Sequence, residues 1–249
     1  MKTKVILFAI LALMLGCVRE TENNFSYTDE KISLHATIGD GNTKTILQQG
    51  GRVFWSPGDV INVFYGDLPG KFTSNNTEPA ATAIFIGTLP SIKYDGKTEF
   101  VASYPYSETT TISGNNTLEI NLPSEQTAVE GTFADDLFIC VAKSKDYNLH
   151  FYNVCGGVKF SFDREDVKKV VFKGNGSEPL AGRLSVVFDT DDLPKVVSIA
   201  ESCSSVALNA PNGGTFNKGV WYFIVLAPQL LDKGYTMEFY GDELLKWKM

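Results

Sequence analysis

The chain has 249 residues, of which 43% are hydrophobic and 20% charged, and its formal net charge is -7. That balance excludes a disordered chain and one embedded in a membrane throughout. The positive charges are scattered, so the basic stripe that a phosphate backbone requires is missing and no nucleic-acid partner is expected.

The N-terminus differs from the rest. Residues 1–4, MKTK, are basic, and residues 5–15, VILFAILALML, form an unbroken apolar run. The run is too short to span a bilayer comfortably, which takes about 20 residues, and has the size of the apolar core of an export signal. Gly16-Cys17 closes it and polar sequence follows at once. Basic, apolar, small residue, Cys is the order of a bacterial lipoprotein signal. Residues 1–16 are therefore expected to be the signal, with Cys17 the lipid-bearing first residue of the mature chain. In such signals Leu is usual three before the Cys, where this chain has Met14. Lipid on Cys17 would tether the protein to the outer membrane, on the cell surface. Residues 17–28 are polar and unpatterned and read as a flexible tether.

Alternation begins at residues 31–38, where Ile32, Leu34, Ala36 and Ile38 share one face and Ser33, His35 and Thr37 the other, as in a half-buried strand. Residues 39–42 are a turn, residues 43–47 a possible short strand, and Gly50-Gly51 a break. Residues 53–67, VFWSPGDVINVFYGD, read as strand, tight turn, strand. Pro57 presets φ at the second turn position and Gly58 takes positive φ at the third. Trp55 is expected in the core rather than on a ligand surface. Residues 67–79 read as a loop. Residues 81–87, 98–104, 117–122 and 137–142 read as strands, with Pro105 and Pro123 as stops. Residues 123–135 leave room for a helical turn.

A second unit is expected from about Leu149, with residues 158–162 alternating. Further strands are expected at 167–173, 184–188, 196–199, 205–208, 219–226 and 235–240. The last of these puts Tyr235, Met237 and Phe239 on one face. Leu244, Leu245 and Trp247 are too apolar for a free tail and are expected to cover a sheet edge or to enter a partner. The 17 Phe, 10 Tyr and 22 Gly fit β structure, and the many short strands between Gly, Asn and Pro turns fit β-sandwiches. The expected layout is an N-terminal sandwich over residues 29–148 and a C-terminal one over 149–249, the latter either complete or short of terminal strands.

Chemistry-bearing patterns are sparse. His35 and His150 are the two histidines, and no metal-ligand cluster, nucleophile elbow or phosphate loop is apparent. Asp189, Asp191 and Asp192 offer oxygen ligands without calcium-loop spacing and read as a solvated loop. Cys140, Cys155 and Cys203 allow one disulfide, of which Cys140–Cys155 is the pairing considered. Both also fit small buried residues. No enzyme activity, metal or cofactor is expected. Tyr104, Tyr106 and Tyr152 either pack on the rim of a sandwich or stack on a glycan, of host or dietary origin. The Asn-x-Ser/Thr matches fall in turns and read as chance.

Several motifs recur together in an order that resembles the fimbrillin-like exported lipoproteins of Bacteroides and its relatives. They are the lipoprotein signal, Trp55 to Asp59 with Ile61, Tyr104-Pro105-Tyr106, Leu122-Pro123-Ser124-Glu125-Gln126, and Asn153 leading into Gly157-Val158-Lys159-Phe160. Leu180-Ala181-Gly182 and residues 222–228 extend the likeness over most of the mature chain. The resemblance implies two consecutive β-sandwiches of Greek-key-like, transthyretin-like topology and a structural or adhesive role in fimbria-like assemblies. The alternative is a glycan-binding module of a surface lipoprotein. In relatives that polymerise, an Arg-specific protease removes a leading strand and a neighbour's strand fills the groove. Arg52 is the candidate cleavage point, and an ordinary turn residue is its other reading.

Overall fold

The computed structural model describes residues 30–38, 54–90, 94–134, 137–242 and 244–245. Cys17, Arg52 and Trp247 lie outside them, as do the expected signal and tether. Within the described residues the chain is all-β. In chain order the strands are β1 (Glu30–Ile38), β2 (Val60–Tyr65), β3 (Leu68–Ser74), β4 (Thr82–Leu89), β5 (Phe100–Tyr104), β6 (Thr111–Ser113), β7 (Thr117–Leu122), β8 (Glu125–Thr127) and β9 (Cys140–Ser144). There follow β10 (Asn148–Asn153), β11 (Gly156–Ser161), β12 (Lys169–Gly174), β13 (Ala181–Phe188), β14 (Pro194–Cys203), β15 (Ser205–Asn209), β16 (Trp221–Leu226), β17 (Tyr235–Tyr240) and β18 (Leu244–Leu245).

Seven strands close a barrel in the order β1-β10-β9-β5-β2-β3-β4. β1 completes it, parallel to β10 on one side and antiparallel to β4 on the other. Its sequence alternation becomes geometry: Ile32, Leu34 and Ala36 are buried while Lys31, Ser33 and His35 are exposed. Phe72, Phe85, Phe100 and Phe151 are fully buried, so the barrel is filled by side chains. The remaining strands form a two-stranded sheet β11-β16, a five-stranded sheet β18-β17-β12-β15-β8 and a four-stranded sheet β14-β13-β7-β6. Buried residues from the barrel and from these sheets form one contiguous apolar cluster.

The sheets do not divide at residue 149. β10 belongs to the barrel, whereas β7 pairs with β13 and β8 runs parallel to β15. The segment 111–127 thus leaves the barrel, supplies strands to the later sheets, and the chain returns to the barrel through β9. Local periodicity carries no information on such a crossing.

Three local expectations change. Residues 67–79 contain β3 rather than a loop. β4 joins β3 only from Phe72 onward, so Pro69 lies where the strand has a single neighbour and its missing N–H costs no ladder bond. Gly70 is needed beside the end of β4, since a Cβ there would come 2.7 Å from Leu89 Cδ2. Residues 123–135 hold β8 rather than a helical turn. The turn at 56–59 is a corner rather than the tip of a hairpin. Asp59 N–H donates to Ser56 O at 3.2 Å and Gly58 takes φ of 80°, but Trp55 bridges to Ala80 while β2 pairs with β3 and β5.

At the C-terminus β17 is the expected strand, flanked by β12 and by β18, which adds a two-residue ladder to its outer edge. Met237 is buried and the Tyr235 ring stacks on Phe172 at 4.8 Å. Cys140, Cys155 and Cys203 are free thiols, so the Cys140–Cys155 disulfide is not formed. Burial raises the Cys140 thiol well above its ordinary pKa, which suits an inert packing role.

Candidate functional site

The residues singled out in the sequence separate into different surroundings. Trp55 is 1% exposed. Its ring meets Phe85, Tyr104 and Phe151 edge-on, with centroids 4.9, 5.3 and 5.1 Å away. Asp59 organises the corner beside it: Oδ2 accepts Ser56 N–H at 2.7 Å and Oδ1 accepts the Tyr104 hydroxyl at 3.2 Å. Tyr104, half-buried and joined to Pro105 by a cis peptide, is therefore held by Trp55 and Asp59. Tyr152 packs edge-on against His150 at 4.8 Å, and His150 Nδ1 lies 2.6 Å from Thr37 Oγ1.

Tyr106 stands apart from both. It lines an open cleft of about 500 Å³ formed by the β2–β3 hairpin and residues 106–112, and neither Tyr104 nor Tyr152 takes part. The ammonium of Lys71 sits 4.5 Å from the Tyr106 ring centroid. The wall is braced by Asn62, whose amide donates to Ser107 O at 3.0 Å and accepts Ser107 N–H at 2.9 Å.

A second feature is the ribbon β11-β16, whose two edges differ. On β16, the Gln126 carboxamide takes both backbone groups of Val225, accepting its N–H at 3.0 Å and donating to its carbonyl at 2.8 Å. Gly131 N–H donates to Trp221 O at 2.8 Å. The backbone groups of Trp221 and Val225 thus point away from β11. In an antiparallel ladder, opposed residues exchange both bonds or neither. Gly157, Lys159 and Ser161, which oppose Val225, Phe223 and Trp221, therefore direct their N–H and C=O groups to the outer edge. That edge pairs with no strand among the described residues. On the adjoining face Trp221 is 49% exposed, and the Lys159 ammonium lies 4.5 Å from its ring.

β14 also has an unpaired outer edge, but it opens at Pro194, carries Lys195 and is broken by two register shifts against β13. Those devices blunt an edge. β11 pairs over six residues without a shift, and Lys159 is the one charged residue on it.

The acidic group at 189–192 is a turn in which the Asp189 and Asp192 carboxylates are engaged. Asp189 Oδ1 accepts the N–H groups of Asp191 and Leu193 at 2.9 and 3.0 Å, and Asp192 pairs with Lys143 at 2.6 Å.

Two features had not been expected from the sequence. In the sequence Gln126 is legible only as part of a motif, and nothing local distinguishes an amide that mimics a strand from a solvated one. Tyr94 and Tyr147 form an exposed pair, centroids 5.1 Å apart, over buried Phe100. Their place beside Gly- and Asp-containing turns was the only available signal. Compared with protein-family models, curated proteins and solved structures, the chain matches none of them.

Proposed function

We propose that the protein is a lipid-anchored surface protein of the fimbrillin-like kind, a non-enzymatic structural or adhesive component that engages a neighbour by strand addition along β11. In this reading the barrel and the later sheets correspond to the family's two successive transthyretin-like sandwiches. The observation that carries it is the outer edge of β11, with the backbone groups of Gly157, Lys159 and Ser161 unpaired among the described residues. Such an edge offers a partner strand main-chain bonds, while the adjoining Trp221 face gives it apolar area to cover. The order of residues 1–17 supports the anchor.

The anchor and the assembly are tested separately. Labelled palmitate should enter the wild-type chain and not Cys17→Ala, and protease shaving of intact cells should remove the protein. Equal labelling of both chains contradicts the anchor, and resistance to shaving contradicts surface display. Detergent-resistant oligomers should be recoverable from native membranes, and their absence contradicts assembly.

A further inference from the structure

The cleft between the β2–β3 hairpin and residues 106–112 has the makings of a ligand site independent of the β11 edge. Its volume of about 500 Å³ falls inside the roughly 300–1,000 Å³ of small-molecule sites. It lies where the barrel meets the four-stranded sheet, since Lys71 comes from β3 and Thr111 and Ile112 from β6. Junctions between structural units are common places for such sites.

The charged groups of the cleft are available. Asp67 and Glu108 are exposed, and neither carboxylate has a protein partner among the described residues. The Thr110 hydroxyl, by contrast, is sealed in the wall and out of a ligand's reach, with its residue 5% exposed. Lys71 adds one cation, and its ammonium occupies one face of Tyr106. Tyr106 therefore fixes the lysine rather than offering that face for stacking. Asn62 has both ends of its amide committed to Ser103 and Ser107, and so supplies rigidity.

We propose that this cleft binds a short neutral saccharide. Two carboxylates against one ammonium repel an anionic ligand and give no reason to select phosphate or sulfate. Two carboxylates alone are too few for a metal, and the described residues contain no group of three candidate ligands. Sugar hydroxyls match the set: they donate to Asp67 and Glu108 and accept from Lys71. The C–H faces of a sugar ring would lie against Pro69 and Ile112, the apolar lining that reaches the surface. The site requires no assembly through β11.

The test uses the full chain, solubilised in detergent, on an array of neutral α- and β-glucans, mannans, galactans and lactosamines beside sialylated, sulfated and amine-bearing glycans. The strongest neutral binder is then titrated calorimetrically. Asp67→Asn and Glu108→Gln should each weaken binding about tenfold, the loss of one charge-assisted hydrogen bond. Both side chains are exposed, so the melting temperature should hold. Lys159→Pro, on the β11 edge, should bind as wild type. Retention of no neutral glycan overturns the proposal. So does a preference for charged glycans, or equal affinity in wild type and the Asp67→Asn/Glu108→Gln double variant.

Discussion

Gln126 and Val225 form a two-point contact in which a side-chain amide does the work of a neighbouring strand: Oε1 accepts the Val225 N–H at 3.0 Å and Nε2 donates to its carbonyl at 2.8 Å. Gln126 is 3% exposed, so both bonds are sheltered from water. The contact ties β8, in the five-stranded sheet, to β16 in the ribbon. It caps the inner edge of that ribbon at Val225, while the outer edge of β11 pairs with no strand among the described residues.

Gln126→Leu keeps the size of the side chain and leaves two buried backbone groups unpaired. At roughly 1–3 kcal/mol for each such group, equilibrium urea unfolding should show a large loss of stability. Gln126→Glu should be weakened at neutral pH, because an ionised carboxylate cannot donate to the Val225 carbonyl, and should recover in acid as protonation restores a donor. Unfolding midpoints equal to wild type in both variants would mean that the contact is dispensable.

Trp55→Ala should cost about 3–5 kcal/mol, as expected for a large aromatic removed from a packed core. Trp55→Phe should cost clearly less. The indole Nε1 has no hydrogen-bond partner, so the smaller ring forfeits volume and no bond. Calorimetric melting of the two variants checks this, and equal losses would point to a polar role for the indole.

Asp95 ties the turn before β5 to the barrel. Its Oδ1 accepts the N–H groups of Thr98 and Lys97 at 2.7 and 2.8 Å and the Tyr65 hydroxyl at 2.9 Å. These bonds, with that from Thr98 the strongest, hold the carboxyl well below its ordinary pKa. The folded-state pKa is depressed, so the stabilisation is complete above the unfolded value of about 4 and is lost as pH falls toward the folded one. Asp95→Asn should melt lower than wild type at pH 7, and the gap should narrow below about pH 4. A gap that stays constant from pH 7 to pH 2 would contradict the assignment.

Much of the strand content was legible in the sequence, and much of its arrangement was not. The alternation of β1, the ends of β7 and β17, and the burial of Trp55 follow from side-chain period and apolar area. β3 was hidden because Pro69 and Gly70 usually mark loops, and here a single-neighbour stretch and a close approach to β4 accommodate them. The closed barrel and the crossing of β6–β8 into the later sheets depend on pairings between distant segments, such as Leu184 with Ile120. Periodicity specifies a strand's faces and not its neighbours. At the candidate sites, Tyr106 was legible as an aromatic beside Pro105. Lys71 and Asp67 were not, because the fold rather than the sequence brings them to it.

If β11 offers its outer edge to a partner strand, a pair of proline substitutions separates that edge from the ladder with β16. Lys159→Pro removes an N–H that faces outward, whereas Phe160→Pro removes one that faces β16. An edge N–H can be lost without harm to a monomer, and a ladder N–H cannot. Lys159→Pro should melt close to wild type and lose the detergent-resistant oligomers recovered from membranes, while Phe160→Pro should destabilise the monomer itself. Oligomers that persist undiminished in a well-folded Lys159→Pro chain would contradict strand addition at this edge.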